Sequence, residues 1–386
     1  MSSDLKSLVG QTLDVKIEKL AVGGSGIARH RFLERDIVVF VPLTAPGDLA
    51  QIKISIVEKT FLTGELVKII EPSPHRRTPP CVVADRCGGC TWQHVAYDEQ
   101  VHQKETILTD LFKKYLKGIE YTLLPTVSGK NQLQYRNRIQ LKRVNDQLGY
   151  FKKGTHEVVD IEECPIAEIE VSDQIASLKK TLPKSTELTK WEVRRTQGGQ
   201  IESYKIGEKG EGLSFAQVNS EINAKLVDVV AKLCVDFKPN HITELYAGGG
   251  NFTFPISQLL PQTEIRAVEL NSELTKHAVE VVKSKKLQKK VMFFTASCDS
   301  YVKTQSISGD LVLLDPPRSG CNPVVINQIA WAKPKQIIYV SCHPVNLARD
   351  VAKIMSIEPQ YKIQKLQIFD MFPQTDHFET LCVLTL

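Results

Sequence analysis

The C-terminal half of the chain alternates short apolar runs with helix-length segments, and this alternation restricts the possible folds more than any other feature. The apolar runs are nearly continuous, as expected for parallel strands that are covered on both faces. They lie at 242–247, 265–270, 291–295, 311–314 and 337–341, with helical periodicity at 221–237, 272–285 and 345–355. We therefore predict a doubly wound, Rossmann-like α/β domain over 216–386. Two last runs, 363–369 and 379–386, are expected to pair antiparallel at the sheet edge.

The N-terminal region differs, because its β-rich runs are short and separated by turn residues. Glycine and proline turns such as Pro46-Gly47-Asp48 divide runs at 13–17, 37–40, 50–56 and 63–69. This spacing predicts a small β-barrel over 5–70. Prolines between 72 and 80 indicate a linker. The remaining region, 75–215, is mixed: it has helical character at 100–115 and strand character at 135–142, 149–151 and 191–195.

Composition sets broad limits on the class of protein. Of 386 residues, 42% are hydrophobic, which is enough for sizeable cores. No apolar run approaches the roughly 20 residues that span a bilayer, and the N-terminus lacks a signal-peptide core, so a cytoplasmic protein without membrane contact is expected. The net charge of +5 is compatible with local binding of a polyanion but does not require it.

Three strand ends in the α/β region carry the residues of a ligand site. The first strand runs into the turn Ala247-Gly248-Gly249-Gly250-Asn251, where glycine permits a tight turn and close approach of a ligand. Glu269 ends the next strand, where an acid suits a ribose diol. Asp315-Pro316-Pro317 ends the fourth, and the two prolines hold that turn rigid. This order of motifs resembles class I methyltransferases that use S-adenosylmethionine.

Cys342 stands at the end of the fifth strand, directly before a helix. The positive end of the helix dipole is expected to favour its thiolate, although a small packing cysteine is the alternative. A thiolate that adds to carbon 6 of uracil makes carbon 5 nucleophilic enough to attack a methyl donor, and a base must then remove the proton on carbon 5. Asp376, His377 and Glu379 are candidates for that base, and their spacing does not choose between them.

Three cysteines cluster in the glycine-containing segment Cys81-x5-Cys87-Gly88-Gly89-Cys90, and Cys164 precedes a proline. Clustered thiols in a reducing compartment usually share a metal, here zinc or an iron–sulfur cluster. The Cys-Pro dipeptide favours [4Fe–4S]. The other cysteines of the α/β region are interpreted as packing residues; they are Cys234, Cys298, Cys321 and Cys382.

Taken together, these motifs resemble the RNA uridine-5 methyltransferase family over essentially the whole chain. The N-terminal turns resemble a TRAM domain, an RNA-binding barrel, and Tyr135-Arg136-Asn137-Arg138 resembles a strand of the central domain. The resemblance implies that the four clustered cysteines hold [4Fe–4S], that Cys342 is the nucleophile and that Glu379 is the base. It also implies a cofactor site for S-adenosylmethionine at the glycine turn. That site comprises Gln217, Tyr246, Gly248, Gly250, Asn251, Glu269, Asp299 and Asp315.

Some residues depart from the family pattern. His343 stands where Asn is usual, Asn346 where Thr is usual, and Ala247 where Cys is usual. The barrel and the cysteine cluster together favour the branch that acts on 23S ribosomal RNA, with tRNA as the alternative substrate; no obligate protein partner is inferred. Methylation of cytosine carbon 5, and an RNA-binding iron–sulfur protein without methyltransferase activity, are the competing hypotheses.

Overall fold

The computed structural model describes residues 5–32, 35–182, 185–196, 198–207, 217–305, 307 and 310–386. The chain forms two compact units. The first comprises the described residues of Met1–Ile107, Asn131–Lys209 and Phe372–Asp376. The second comprises those of Leu108–Lys130, Gly210–Met371 and His377–Leu386.

The strands and the helices are each numbered in the order in which they occur along the chain. The strands are β1 (Thr12–Leu20), β2 (Gly26–Phe32), β3 (Arg35–Val41), β4 (Leu49–Val57), β5 (Phe61–Glu71), β6 (Leu123–Val127), β7 (Arg138–Asn145), β8 (Gln147–Phe151), β9 (Val158–Asp160), β10 (Ser185–Arg195), β11 (Ile201–Lys205), β12 (His241–Leu245), β13 (Glu264–Glu269), β14 (Val291–Thr295), β15 (Leu311–Leu314), β16 (Gln336–Ser341), β17 (Lys362–Phe369) and β18 (Glu379–Thr385). The helices are α1 (Tyr97–Tyr115), α2 (Ile169–Thr181), α3 (Ser220–Phe237), α4 (Thr253–Leu259), α5 (Ser272–Ser284), α6 (Cys298–Thr304), α7 (Pro323–Ala332) and α8 (Pro344–Ile357).

Strands β1–β5 close into a barrel in the order β1-β2-β3-β5-β4, which confirms the predicted N-terminal barrel. Alternate side chains such as Val15, Ile17 and Ile52 fill its interior, as the period-2 geometry of a strand requires. Strand β2 was not predicted, because arginines on its outer face interrupt the apolar pattern.

A five-stranded antiparallel sheet, in the order β11-β10-β7-β8-β9, forms the rest of the first unit's β structure. Its inner face carries Ile139, Leu141 and Val193, which share one core with Val171 and Ile175 of α2. Cys164 belongs to the same core, and Cys81, Cys87 and Cys90 pack against it.

The second unit is built on an eight-stranded sheet in the order β14-β13-β12-β15-β16-β18-β17-β6. Strands β12 to β16 pair in parallel, which confirms the doubly wound α/β prediction. All residues of β15 and β16 are buried. Strands β17 and β18 pair antiparallel as expected, but they do not end the sheet. Strand β6 pairs in parallel with β17 and takes the edge, a long-range pairing that no local pattern reveals.

In the part of the chain that the structure describes, no helix is both long enough and apolar enough to cross a membrane.

Candidate active site

Four strand ends meet at one edge of the second unit's sheet. Strands β12, β13, β15 and β16 are parallel, so their carboxyl ends share that edge, and the antiparallel β18 begins there. Ser341 pairs with Thr380, which sets the start of β18 opposite the end of β16. Cys342 and Glu379, the next residues outward, therefore lie across from each other. Asp315, one strand further, completes the group.

The environment of the Cys342 thiol differs from the expected one. The side chain is half-buried, and burial raises its pKa to about 12, with the charges of Glu379 and Asp315 adding to the rise and Arg318 opposing it. The expectation of a stabilised thiolate is therefore wrong for the free protein. The helix dipole acts on this thiol, but desolvation and two neighbouring carboxyl groups outweigh it.

Glu379 is a buried carboxyl with unused hydrogen-bonding capacity. It is 3% exposed, and its Oε2 atom has no hydrogen-bond partner. Burial raises its pKa and the charge of Asp315 raises it further, while Arg318 lowers it. Burial also raises the pKa of Asp315. Two carboxyl groups close to each other in a desolvated site hold protons more tightly than either would alone.

Asp376, an alternative candidate for the base, is engaged elsewhere. It belongs to the first unit, where its Oδ2 accepts from the Gly23 N–H at 2.8 Å and its Oδ1 accepts from the Thr91 hydroxyl at 3.0 Å. Its carboxylate thus satisfies groups of the fold. His377 is half-buried and lies two residues before Glu379.

The glycine turn after β12 has left-handed backbone conformations, which glycine adopts readily. Gly248 and Gly250 have φ of 57° and 91°, and Tyr246 also lies in the left-handed region at 63°. A Cβ atom on Gly250 would lie 2.5 Å from the Phe254 ring, so only glycine fits there. The Gly248 N–H donates to Glu269 Oε2 at 2.9 Å, which joins the turn to the end of β13.

Three further residues, Asp299, Asn251 and Gln217, were expected at the cofactor site. Asp299, in the first turn of α6, and Glu269 both act on the Cys298 thiol and raise its pKa, behind the larger effect of burial. Asn251 exchanges amide hydrogen bonds with Asn223, at 3.0 and 3.1 Å, so its side chain is already engaged. Gln217 is described, but the residues before it in the expected motif, at 215 and 216, lie outside the described residues.

Two charged residues at this edge were given no role from the sequence. Glu244, in β12, is 2% exposed; its Oε2 accepts from the Thr253 hydroxyl at 2.6 Å, while its Oε1 has no partner. Burial raises the pKa of Glu244 to about 8. Arg318 is the cation that acts on both Cys342 and Glu379. The sequence features that could have identified them are the acid Glu244 inside an apolar run and the cation Arg318 directly after Asp-Pro-Pro.

The four clustered cysteines line one cavity of about 20 Å³ in the first unit. The Cys164 N–H donates to the Ser172 hydroxyl, and the Tyr150 hydroxyl donates to Cys164 Sγ at 3.7 Å. Arg136 also lines the cavity, and its Nε is buried without a hydrogen-bond partner. Among the described residues, no three His, Cys, Asp or Glu side chains are arranged to hold a metal ion, so the predicted metal-cluster loop is not shown.

Both the C-terminal α/β region and the N-terminal barrel match known protein families. Residues 196–386 match a family model described as tRNA (Uracil-5-)-methyltransferase, and residues 6–67 match the TRAM domain. An uncharacterized RNA methyltransferase of Bdellovibrio bacteriovorus is 39% identical over 384 residues, 98% of this chain and 96% of that protein. The 23S rRNA (uracil(1939)-C(5))-methyltransferase of Legionella pneumophila is 27% identical over 98% of this chain and 97% of its own length. The tRNA (uracil-54, C5)-methyltransferase of Pyrococcus abyssi, solved with S-adenosyl-L-homocysteine, shares the fold with a TM-score of 0.71 and 24% identity, covering 97% of this chain and 100% of that one.

Proposed function

Because this chain belongs to the RNA uracil-C5 methyltransferase family, we propose that it forms 5-methyluridine in 23S ribosomal RNA, with S-adenosylmethionine as methyl donor and Cys342 as covalent nucleophile. The relatives act on uracil in both rRNA and tRNA, so the family supports the reaction more strongly than the choice of RNA. We base the choice of rRNA on the joint presence of the barrel and the cysteine cluster.

One observation carries the proposal: the buried Glu379 carboxyl, whose Oε2 has no hydrogen-bond partner, lies across from Cys342 at the edge where Asp315 follows its strand. Covalent methylation of uracil carbon 5 needs a thiol, a proton acceptor and room for a base beside a methyl donor. Strand ends of an open α/β sheet are where such ligands bind. A purely structural cysteine would not require two buried carboxyl groups beside it.

The residues have distinct tasks in the cycle. The methyl donor supplies an electrophilic methyl group when it is bound. Cys342 loses its proton and its sulfur forms a bond to carbon 6 of uracil, which leaves carbon 5 to accept the methyl. Glu379 then takes the proton from carbon 5, and the bond between Cys342 and carbon 6 breaks as the ring double bond re-forms. Because the free thiol is protonated, we assign its proton to Asp315, the second carboxyl that acts on it.

The cofactor is proposed to lie over the glycine turn. The Glu269 carboxylate, already oriented by Gly248 N–H, offers further lone pairs to a ribose diol. The space in which a Cβ of Gly248 would stand holds no atom within 4 Å, which leaves the backbone open to a ligand there. Gln217, Tyr246, Asn251, Asp299 and Asp315 complete this proposed site. Asn251 would first have to release Asn223.

We propose that Cys81, Cys87, Cys90 and Cys164 hold a [4Fe–4S] cluster. The four thiols line one cavity, and the Cys164-Pro165 dipeptide favours an iron–sulfur cluster over zinc. The unpartnered Nε of Arg136 in the same cavity suits an anionic, thiolate-bound group. When bound, such a cluster would cross-link the 81–90 segment to Cys164. Methyl transfer consumes no electrons, so we assign it a structural role.

We further propose the division into a TRAM barrel at 5–70, a central domain at 75–215 and a methyltransferase domain at 216–386. The barrel and the strand that includes Arg138 would contact the RNA around the target. Because a stacked uridine cannot reach Cys342, the target base is expected to be flipped out or already single-stranded.

The test is nucleoside analysis of RNA treated with the purified protein. The 23S rRNA and tRNA fractions of cells that lack the protein are incubated with it and S-adenosylmethionine, digested and examined by mass spectrometry. We expect 5-methyluridine in the rRNA digest and none with Cys342→Ala; Cys234→Ala, which removes a buried thiol from α3, serves as the matched control. Methyl transfer to tRNA, or 5-methylcytidine in either digest, would contradict the substrate assignment. Activity of Cys342→Ala would contradict the mechanism.

A further inference from the structure

Helix α8 begins directly after Cys342, and its N-cap residue is His343. The His343 backbone is extended, with φ of −132° and ψ of 96°, and its Nδ1 accepts a hydrogen bond from the Asn346 N–H at 3.3 Å. The imidazole therefore satisfies one of the N–H groups that a helix start leaves without a partner. Nδ1 can accept only while it carries no proton, so this arrangement requires a neutral ring with its proton on Nε2.

The neighbouring helices of the second unit use other side chains for the same purpose. Their N-cap acceptors are Asn219 of α3, Asn271 of α5, Ser297 of α6 and Asn322 of α7. None of these side chains changes charge near neutral pH. The helix that follows the nucleophile is thus capped by a group that titrates, whereas these four helices are not.

The first turn of α8 also holds the loop that follows Asp315. The Asn346 amide donates to the Arg318 carbonyl oxygen at 2.7 Å. A Cβ atom on Gly320 would lie 2.9 Å from Asn346 Cβ, so loop and helix are in close contact. Further along the helix, the Asp350 carboxylate accepts from the Cys321 N–H at 3.1 Å. Displacement of this turn would therefore move the Asp315–Arg318 loop as well as Cys342.

Protonation of His343 would remove the cap. The imidazolium has no acceptor at Nδ1, and it places a cation at the positive end of the helix dipole. Burial lowers the pKa of His343 and a hydrogen bond with its own backbone raises it, while Arg318 and Arg349, the charged groups that act on the ring from the loop and from α8, lower it further; the net shift is downward. Because the pKa of His343 is depressed in the folded protein, the stability that its neutral ring contributes is fully present above the unfolded-state pKa of about 6.5. That contribution is lost as the pH falls through the folded-state pKa.

We propose that His343 is a positioning residue for methyl transfer, whose neutral imidazole fixes the first turn of α8 and with it Cys342 and the Asp315–Arg318 loop, so that protonation of this ring slows the reaction. This inference rests on the proposed role of Cys342 as nucleophile. It gives the reaction a dependence on pH that an asparagine cap would not have.

The first test compares two replacements of the cap. His343→Asn provides an amide oxygen in place of Nδ1, and His343→Ala provides no acceptor. At pH 8 we expect His343→Asn to stay within about twofold of wild type in kcat/KM and His343→Ala to fall about fivefold, as typical N-cap losses imply. In acid, the slope of log kcat/KM against pH should be smaller by about 1 in His343→Asn than in wild type. His277→Asn, at an exposed position of α5, is the matched control and should keep the wild-type slope.

Two further measurements do not depend on activity. Nitrogen-15 NMR of histidine-labelled protein should show His343 as the Nε2–H tautomer at pH 8, and the Tm of wild type should fall relative to that of His343→Asn as the pH drops below about 6.5. A protonated Nδ1 at pH 8, an unchanged acid slope in His343→Asn, or wild-type kinetics in His343→Ala would each overturn the proposal. If Cys342→Ala were active, the proposed function would fail, while the tautomer and the Tm difference would still report on the cap.

Discussion

Replacement of Glu379 by glutamine tests the relation between the thiol and its carboxyl neighbours. The amide keeps the size of the buried side chain but can neither carry the negative charge nor accept the proton from carbon 5. Glu379 is the first of the charges that raise the pKa of Cys342. The variant should therefore make the thiol easier to ionise and, at the same time, stop the reaction after methyl transfer.

The size of the first effect follows from the thiol's environment. With a pKa of about 12, Cys342 carries about one thiolate per ten thousand molecules at pH 8, whereas an ordinary thiol at 9.0 carries about one in ten. Because each thiolate becomes more nucleophilic as its pKa rises, with a Brønsted coefficient of about 0.4–0.5, alkylation of Cys342 should be about 30- to 60-fold slower than that of an unperturbed cysteine of equal accessibility. Each unit by which Glu379→Gln lowers the pKa of Cys342 should raise the thiolate fraction about tenfold and accelerate alkylation about three- to fourfold.

Two assays read the two effects separately. Iodoacetamide labelling of the Cys342 peptide, followed by mass spectrometry at several pH values, gives the thiolate fraction. Release of methylated RNA gives turnover, which should fall by about 10²–10⁴, the usual contribution of a general base. Since carbon 5 keeps its proton, Cys342 cannot leave, and methyl-labelled RNA should stay attached to the protein under denaturing conditions.

Asp376→Asn is the comparison variant, because Asp376 was the competing candidate and its carboxylate bonds to Gly23 and Thr91 instead. It should change neither the alkylation rate of Cys342 nor the fate of the covalent complex. Slower alkylation in Glu379→Gln, or turnover at the wild-type rate, would refute the assignment of Glu379 as both the neighbouring charge and the base.

Two further predictions concern the cluster and the glycine turn. Cys164→Ala should lose bound iron and visible absorption, whereas the control Cys234→Ala should keep both. Arg136→Gln should retain iron but lower the reduction potential of the holoprotein. Full iron content in Cys164→Ala would exclude this cysteine as a ligand. Gly250→Ala should lower the free energy of unfolding in urea by about 2–4 kcal/mol, because it combines a left-handed φ with overlap onto the Phe254 ring. Gly248→Ala has open space at its Cβ and should lower the free energy of unfolding by only about 1–2 kcal/mol. Equal losses in the two glycine variants would show that the steric term is absent.

Local sequence patterns were sufficient where burial alone decides the structure. Strand β15, at Leu311–Leu314, has the predicted bounds, because a run covered on both faces must be apolar throughout. Strand β2 was missed since Arg29 and Arg31 lie on its outer face, and the placement of β6 at the sheet edge depends on a partner far along the chain. The local sequence of a strand does not indicate which distant segment it pairs with.

The same distinction applies to the candidate site. Strand-end positions allowed Cys342, Asp315 and Glu379 to be chosen from the sequence and from family resemblance. The protonation state of the thiol could not be predicted, because it depends on the antiparallel insertion of β18 beside β16, which brings Glu379 opposite Cys342. The capping role of His343 was equally hidden, since histidine is an uncommon N-cap residue and only backbone geometry reveals its acceptor.

The opposing effects of the helix dipole and of burial with the carboxyl neighbours on the pKa of Cys342 can be compared by magnitude. A helix N-terminus stabilises an adjacent anion by about 0.3–1 kcal/mol and by up to about 2 in partly buried sites. A pKa near 12 instead of 9.0 corresponds to about 4 kcal/mol in the opposite direction, so burial and the carboxyl neighbours dominate. A thiol held in this state resists oxidation and stray alkylation, which act on thiolates. Because nucleophilicity rises with the pKa of the thiol, the same environment makes the sulfur a stronger attacking group once a carboxylate has removed its proton.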